Sequence, residues 1–312
     1  MEQKPYILLV NPKAGYGKSV LPFMNKTTGQ DQAHQYIQHI TDLFAYYGKP
    51  IKSHIISRKS TTEAFLNTLN TDNCEALLVA GGDGTIHSVL PVVLKKSLKL
   101  GIIPVGSVNI LAKDLGLPMS IKEACECIIK GHLKHIDIGS VDKQYFASML
   151  GIGFDASVIQ ATKDRLKKRL GLLAYGIAAL KVLMSRKSQE IEYKINQRKH
   201  SEKASFLLIQ NSKYYSGKLC ISERSSLDDG TVELITISSS KKSYYLLFML
   251  ALILKAVLKV DIFSYLSAIQ VRQVKKVTII KQAIPGFHLD AEYKKESPKS
   301  IKLQTKCLSI FC

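Results

Sequence analysis

The stretch Leu77-Leu-Val-Ala-Gly-Gly-Asp-Gly-Thr-Ile-His87 constrains the fold more than any other part of the chain. Leu77 to Ala80 are apolar, as in a buried strand; Gly81, Gly82 and Gly84 open the backbone; Ile86, Val89 and Leu90 then recur at helical spacing. This is a strand, a bare loop and a helix start. Glycines let backbone N–H groups approach an anion with no Cβ in the way, and a helix start adds unpaired N–H groups with partial positive charge. Asp83 is the odd residue, because a carboxylate repels bare phosphate. It fits the loop if it handles a metal ion, a ribose hydroxyl or a proton, or if it is simply a helix cap, a position that Asp favours.

The same pattern surrounds this stretch. Pro5 to Val10 predicts a first strand, followed by Asn11-Pro-Lys-Ala-Gly-Tyr-Gly-Lys18, a turn without G-x-x-x-x-G-K-[ST] spacing in which Asn11, Gly15 and Lys18 can hold a nucleotide. His34 to Tyr47 predicts an amphipathic helix stopped by Gly48, Ile51 to Ser57 a strand, and Thr62 to Leu69 a helix. Leu100 to Pro104 predicts another strand, leading into the glycine turn Val105-Gly-Ser-Val-Asn-Ile-Leu-Ala-Lys113. Strands alternating with helices predict a doubly wound parallel sheet over residues 1–136, with ligands at the carboxyl ends of its strands. Asn11, Ser57, Asp83 and Ser107 all fall at such ends.

After Gly131 the period changes. Segments near 137–149, 190–196, 203–211, 231–238, 275–281, 287–293 and 301–311 alternate with polar turns, which predicts a β-sandwich or barrel over 137–312. Two helices interrupt it: Arg165 to Lys187, with basic ends and an apolar middle, and the apolar Tyr244 to Leu258, which carries Lys255 and follows Lys241 and Lys242. The second falls short of the ~20 apolar residues a membrane span needs. Such helices either pack on the sheet or dock into a membrane interface where Lys and Arg meet anionic headgroups. Asp228-Asp229-Gly230-Thr231 is a β-turn or a hard-cation loop. Asp290-Ala-Glu292 places two carboxylates on one strand face, either as a solvated strand end or with one acting as a general base. His132 and His135 are expected at a solvated helix end rather than on a metal.

The 312 residues suffice for two domains. The 44 Lys and Arg against 25 Asp and Glu give +19, which calls for anionic partners. Nucleic acid is set aside, since the chain has no Trp, no RNP-type aromatic motif, no zinc-finger spacing and no basic tail. A nucleotide and a membrane surface remain. Six cysteines without C-x-x-C pairs and an amino terminus with too short an apolar run for a signal peptide predict reduced thiols and a cytoplasmic protein that meets membranes peripherally. A homodimer is compatible with the pattern but not required by it.

Taken in order, these residues resemble the diacylglycerol kinase catalytic family, which also holds sphingosine and ceramide kinases and their bacterial relatives. The matching stretches are Asn11-Pro-Lys-Ala-Gly15, Gly81-Gly-Asp-Gly-Thr85, Pro104-Val-Gly-Ser-Val-Asn109 with Leu111-Ala-Lys and Leu115-Gly-Leu-Pro118, Ile136-Asp-Ile-Gly139, Gly151-Ile-Gly-Phe-Asp-Ala156, the Lys168 to Tyr175 region, Leu227-Asp-Asp-Gly230 and Asp290-Ala-Glu292. The resemblance implies an amino-terminal fold shared with NAD kinases and 6-phosphofructokinases, a carboxyl-terminal β-sandwich, and ATP in the cleft between them. It implies that Asn11, Pro12, Lys13, Ala14, Gly15, Ser57, Gly82, Asp83, Gly84, Thr85, Ile86, His87, Ser88 and Ser107 surround ATP. It places a structural Mg²⁺ on Ser226 and Thr231, through backbone oxygens, and on Asp229. Glu292 would take the proton of a lipid alcohol, diacylglycerol or a sphingoid base, while Asp83 organises a catalytic Mg²⁺ through water or is itself the base.

Four residues at three places depart from the family pattern: Ala291 replaces the glycine of Asp-Gly-Glu, Ile110 the aspartate after Asn109, and His87-Ser88 an Asn-Glu pair. An alanine at position 291 is tolerated at negative φ and strained in a left-handed backbone. His87 is a feature of the sphingosine-kinase branch. The alternatives are a catalytically silent lipid- or nucleotide-binding relative, motivated by these departures, and an NAD kinase.

Overall fold

The structure, a computed structural model, describes residues 3–14, 29–57, 59–162, 172–185, 190–196, 201–216, 219–238, 241–258, 260 and 266–312. Gly15, Lys18 and the 168–171 part of the Lys168 to Tyr175 motif lie outside them. Two compact units emerge: Met1–Ile136 with Lys306–Cys312, and Asp137–Thr305.

In the first unit, β1 (Tyr6–Val10), α1 (Gly29–Tyr46), β2 (Ile51–Ile55), α2 (Lys59–Thr68), β3 (Ala76–Gly81), α3 (Asp83–Lys95), β4 (Leu100–Pro104), α4 (Ile110–Asp114) and α5 (Ile121–Lys130) alternate as the sequence predicts. The strands are parallel in the order β2-β1-β3-β4. β1, β3 and β4 are buried throughout, as continuous apolar runs with helices over both faces must be. At the edge, β2 leaves Lys52 and Ser53 exposed. Helix α1 contributes Ala33, Tyr36, Ile40 and Phe44 at helical spacing to the core that holds Leu8, Leu78 and Ile103. Among the described residues it already includes Gly29, ahead of the expected His34, because the polar residues before the apolar stripe are also compatible with a helix.

The second unit is built from β5 (Leu133–Val141, which enters it at Asp137), β6 (Gln144–Phe146), β7 (Met149–Gly153), α6 (Phe154–Ala161), α7 (Leu172–Ser185), β8 (Ile191–Ile195), β9 (Glu202–Ala204), β10 (Phe206–Gln210), β11 (Tyr214–Ser216), β12 (Leu219–Cys220), β13 (Val232–Ile237), α8 (Lys242–Leu258), β14 (Ile269–Val274), β15 (Lys276–Gln282), β16 (Phe287–Leu289), β17 (Glu292–Lys294) and the start of β18 (Ser300–Phe311). One antiparallel sheet has the order β14-β13-β10-β7-β16-β17. The other runs in the order β18-β15-β8-β9 and includes the β5–β6 hairpin. Leu150, Ile152, Leu207, Ile209, Leu234 and Phe287 from the first meet Phe146, Tyr193, Val277 and Ile301 from the second in one core, the sandwich that alternation predicted. The outer face of β10 is covered by α8, with Phe206 and Phe248 ring centroids 5.2 Å apart and Ser205 Oγ 2.6 Å from Tyr245 OH.

Two local expectations change. Helix α5 ends at Lys130, with Gly131 at φ 80, so His132 follows the helix, but His135 lies exposed on β5 because Leu133-Lys-His-Ile-Asp-Ile alternates. The carboxyl terminus also splits: Lys306, at φ 49, marks the passage of β18 from the second unit to the first. Lys306–Cys312, expected from its β pattern in the second domain, packs with the first unit, where Ile310 pairs in parallel with Leu100 and Phe311 joins the core.

Candidate active site

In the first unit, the predicted residues gather where β1, β3 and β4 end. Asn11 follows β1 directly; its Nδ2 donates to Thr85 Oγ1 at 2.8 Å, its Oδ1 accepts from Lys13 N at 2.9 Å, and its N–H donates to Ala80 O at 3.1 Å. Asn11 therefore ties the Asn11–Ala14 turn to both the end of β3 and the start of α3. Gly81 has no room for a side chain, since a Cβ would lie 2.6 Å from Thr85 Cβ. The two glycine turns touch through their backbones: a Cβ on Gly106 would come within 2.4 Å of Gly82 Cα. Asn109 closes the second turn with φ 53, and its Nδ2 donates to Gly106 O at 2.9 Å. Among the described residues its buried Oδ1 has no hydrogen-bond partner.

Asp83 does not cap its own helix. Gly82 takes that position, and Asp83, as the first helical residue, accepts from Leu111 N of α4 at 3.3 Å through Oδ1. One carboxylate is thus held where two βα turns meet bare backbone, a surface suited to an anion that brings its own cation.

Pro12 and Ala14 are half-buried beside exposed Lys13. Gly84 is exposed, Thr85 buried and His87 half-buried, whereas Ile86 faces the core at 2% exposure, so only its backbone can serve a ligand. Ser88 uses its hydroxyl on Thr85 O at 2.7 Å. Ser107 is exposed in the second glycine turn. Ser57 is exposed two residues beyond β2, with Oγ 2.9 Å from Thr61 Oγ1.

In the second unit the Asp-Ala-Glu motif departs from the sequence reading. Asp290 and Glu292 do not share a strand face, because Asp290 and Ala291 form the two-residue turn of the β16–β17 hairpin at φ 47 and φ 68, where strand alternation no longer applies. Asp290 is an anchor: Oδ2 accepts from Ala147 N at 2.9 Å, and Oδ1 from Ser148 N at 2.8 Å and Met149 N at 3.0 Å. Glu292 is exposed at the start of β17. Ala291 occupies the left-handed conformation in which alanine is strained.

The Ser226 to Thr231 loop is held by its own side chains and by Asp137. Ser226 Oγ donates to Asp228 Oδ1 at 2.6 Å, Asp229 Oδ1 accepts from Thr231 N at 2.8 Å and Thr231 Oγ1 at 3.0 Å, and Gly230 N donates to Asp137 Oδ2 at 2.7 Å. Among the described residues no three His, Cys, Asp or Glu side chains gather to hold a metal. A cation here would rely on exposed Asp229 with backbone oxygens, a hard donor set that fits Mg²⁺ chemically. Neighbouring Glu233 is 2% exposed, and burial pushes its carboxyl above the usual range. Burial also raises the thiols of Cys74 and Cys312 to about 11 and that of Cys125 to about 12, so these are not activated nucleophiles.

Sequence reasoning missed the Gly82–Gly106 approach, the Asn11–Thr85 bond and the anchoring role of Asp290. Only the glycines gave an advance signal; the other contacts join residues far apart in the chain.

Two family models match this chain: the diacylglycerol kinase catalytic domain over residues 19–141 and the YegS C-terminal NAD kinase beta sandwich-like domain over residues 148–312. A protein named diacylglycerol kinase from Staphylococcus saprophyticus is 31% identical over 183 residues, 58% of this chain and 59% of that protein, so the match reaches less than two thirds of its length. One of the same name from Bacillus subtilis strain 168 is 26% identical over 225 residues, 71% of this chain and 74% of that protein. The crystal structure of a diacylglycerol kinase from Bacillus anthracis strain Sterne superposes with a TM-score of 0.74 at 20% identity, covering 100% of this chain and 98% of that one, which establishes the shared fold.

Proposed function

This chain belongs to the diacylglycerol kinase catalytic family, and we propose that it transfers the γ-phosphate of ATP to the hydroxyl of a lipid alcohol, with diacylglycerol as the first candidate. The observation that carries the reading is the contact of the two glycine turns at Gly82 and Gly106, which leaves a floor of bare backbone beside Asp83.

In the proposed reaction the lipid oxygen attacks the γ-phosphorus, the bond to the β–γ bridging oxygen breaks, ADP leaves, and the hydroxyl proton passes to Glu292. Such transfers need positioning and charge neutralisation more than covalent chemistry. Asn11 to Gly15 and the two glycine turns would cradle the triphosphate. Bound Mg²⁺ supplies charge neutralisation; Asp83 would hold the ion that accompanies ATP through water, and Asp229 with the Ser226 and Thr231 carbonyls would hold the structural one. Exposed Ile177, Leu180 and Met184 on α7 and Leu246, Leu250 and Leu258 on α8, with Lys181, Lys241 and Lys242, support docking on an anionic membrane surface. Among the described residues no helix is long and apolar enough to cross a membrane.

Ala291 at φ 68 and Ile110 in place of an aspartate favour a second reading, a silent lipid- or nucleotide-binding relative. Radiolabelled ATP with Mg²⁺ and mixed vesicles holding diacylglycerol or sphingosine separates the two. Label is expected in diacylglycerol, and Glu292→Gln should lower turnover by about 10²–10⁴-fold. Near-normal turnover of that variant would move the proton-accepting role to Asp83. Tight ATP binding without transfer to either lipid would establish the silent relative, and label in added NAD would establish an NAD kinase.

A further inference from the structure

Behind the Glu292 hairpin lies a buried polar chain that the proposed transfer leaves unused. His288, the middle residue of β16, is 1% exposed, and Asp155, in the first turn of α6, is 3% exposed. His288 Nε2 and Asp155 Oδ2 are 2.6 Å apart, and Tyr215 OH donates to the other carboxylate oxygen, Oδ1. On β7 the strand partner of His288 is Gly151, where a Cβ would come within 2.3 Å of both His288 Nε2 and Asp155 Oδ2. Only glycine lets the ring and the carboxylate meet across that strand. Burying such a pair is unfavourable unless its remaining polar atoms are engaged. They are: Ala291 N lies 3.4 Å from His288 Nδ1 and donates to it.

A backbone N–H can only donate, so Nδ1 must be the unprotonated acceptor and the ring proton must sit on Nε2, pointing at Asp155. An acceptor-only carboxylate, already taking the Tyr215 hydroxyl on its other oxygen, holds the ring in that tautomer. Ala291 is the strained residue that directly precedes Glu292, and strained backbone persists only where its surroundings over-determine it. Asp290 supplies one hold on the turn, from its three backbone donors. The His288 ring supplies the other.

We propose that Asp155 and His288 are positioning residues: Tyr215 and Asp155 lock the His288 tautomer, Nδ1 grips the Ala291 amide, and the grip aims Glu292. The aiming of Glu292 matters for catalysis only on the reading of that residue as proton acceptor. The grip itself stands on geometry.

The full chain provides the test. Spectra of protein labelled with ¹⁵N-histidine at neutral pH should show His288 protonated on Nε2 and bare on Nδ1; a proton on Nδ1 overturns the proposal whether or not the protein is a kinase. His288→Asn keeps an acceptor near the place of Nδ1, whereas His288→Gln keeps a donor near the place of Nε2 and loses the acceptor. Exchange of the Ala291 amide hydrogen should quicken in His288→Gln and change far less in His288→Asn. With labelled ATP and diacylglycerol vesicles, His288→Gln should lower kcat by about 10-fold or more, the scale on which misplacement acts, with KM for ATP nearly constant. His288→Asn should retain most of kcat. Equal losses in the two variants, or an unchanged kcat in His288→Gln, would reduce the pair to packing. If the parent protein phosphorylates no lipid alcohol, the kinase reading fails by itself, and the tautomer and exchange measurements still decide the grip.

Discussion

Ala291 is the residue at which sequence and backbone disagree most directly. Consecutive positive φ values at Asp290 and Ala291 are those of a type I′ hairpin turn, which favours Asp followed by Gly. An L residue in the left-handed region is penalised by about 1–2 kcal/mol, offset in part because glycine has the more mobile unfolded chain. Ala291→Gly should therefore raise stability by about 0.5–1 kcal/mol, read as a higher urea midpoint at unchanged slope; a lower midpoint would mean the turn relaxes around alanine. Glu233 offers a second residue-scale prediction. Its Oε1 has no hydrogen-bond partner among the described residues, and burial raises its pKa, with Arg224 opposing the shift. A raised carboxyl favours the protonated form in the folded state, so its contribution is full below the unfolded pKa and is lost as pH rises through the folded one. Glu233→Gln should melt higher than the parent protein at neutral pH, in chelator, with the difference gone by about pH 4. A constant difference across that range would show that Glu233 does not titrate there.

At the scale of elements, α7 and α8 show both what their composition reveals and what it hides. Their apolar character was legible at once, because neither stretch contains an acidic residue. Which residues face out was not, since a helix apolar all round carries little periodic signal. The structure buries Tyr245, Phe248 and Leu252 and exposes Leu246, Leu250 and Leu258. It also removes Lys255 from the set of basic residues expected at a membrane, because its Nζ donates to Ile221 O at 2.9 Å. Lys181 and Lys241 are exposed, and Lys242 Nζ reaches Met184 O at 3.2 Å, placing the amino end of α8 beside the carboxyl end of α7. Reversing the charge of Lys181, Lys241 and Lys242 together should weaken sedimentation with anionic vesicles at low salt and leave neutral vesicles unaffected. Unchanged sedimentation would count against docking through these helices.

The whole molecule depends on a return that no local pattern announces. Leu308, Ile310 and Phe311 are buried in the first unit, although the residues just before Lys306 belong to the second. Phe311→Ala should cost about 3–5 kcal/mol, as other buried aromatic truncations do, and hydrogen exchange should quicken first in β1, β3 and β4. Equal loosening of both units would show that they unfold as one. The alternation of strands and helices, the glycine turns and the ordered family motifs were readable from the chain alone, because period, φ preference and spacing are properties of neighbouring residues. That Gly106 rests on Gly82, that Asp290 holds backbone in a turn rather than sharing a strand face with Glu292, and that Asp155 meets His288 across Gly151 came only with the tertiary structure. Those contacts join segments whose separation in the chain leaves no periodic trace, and it is burial in a shared core that brings them together.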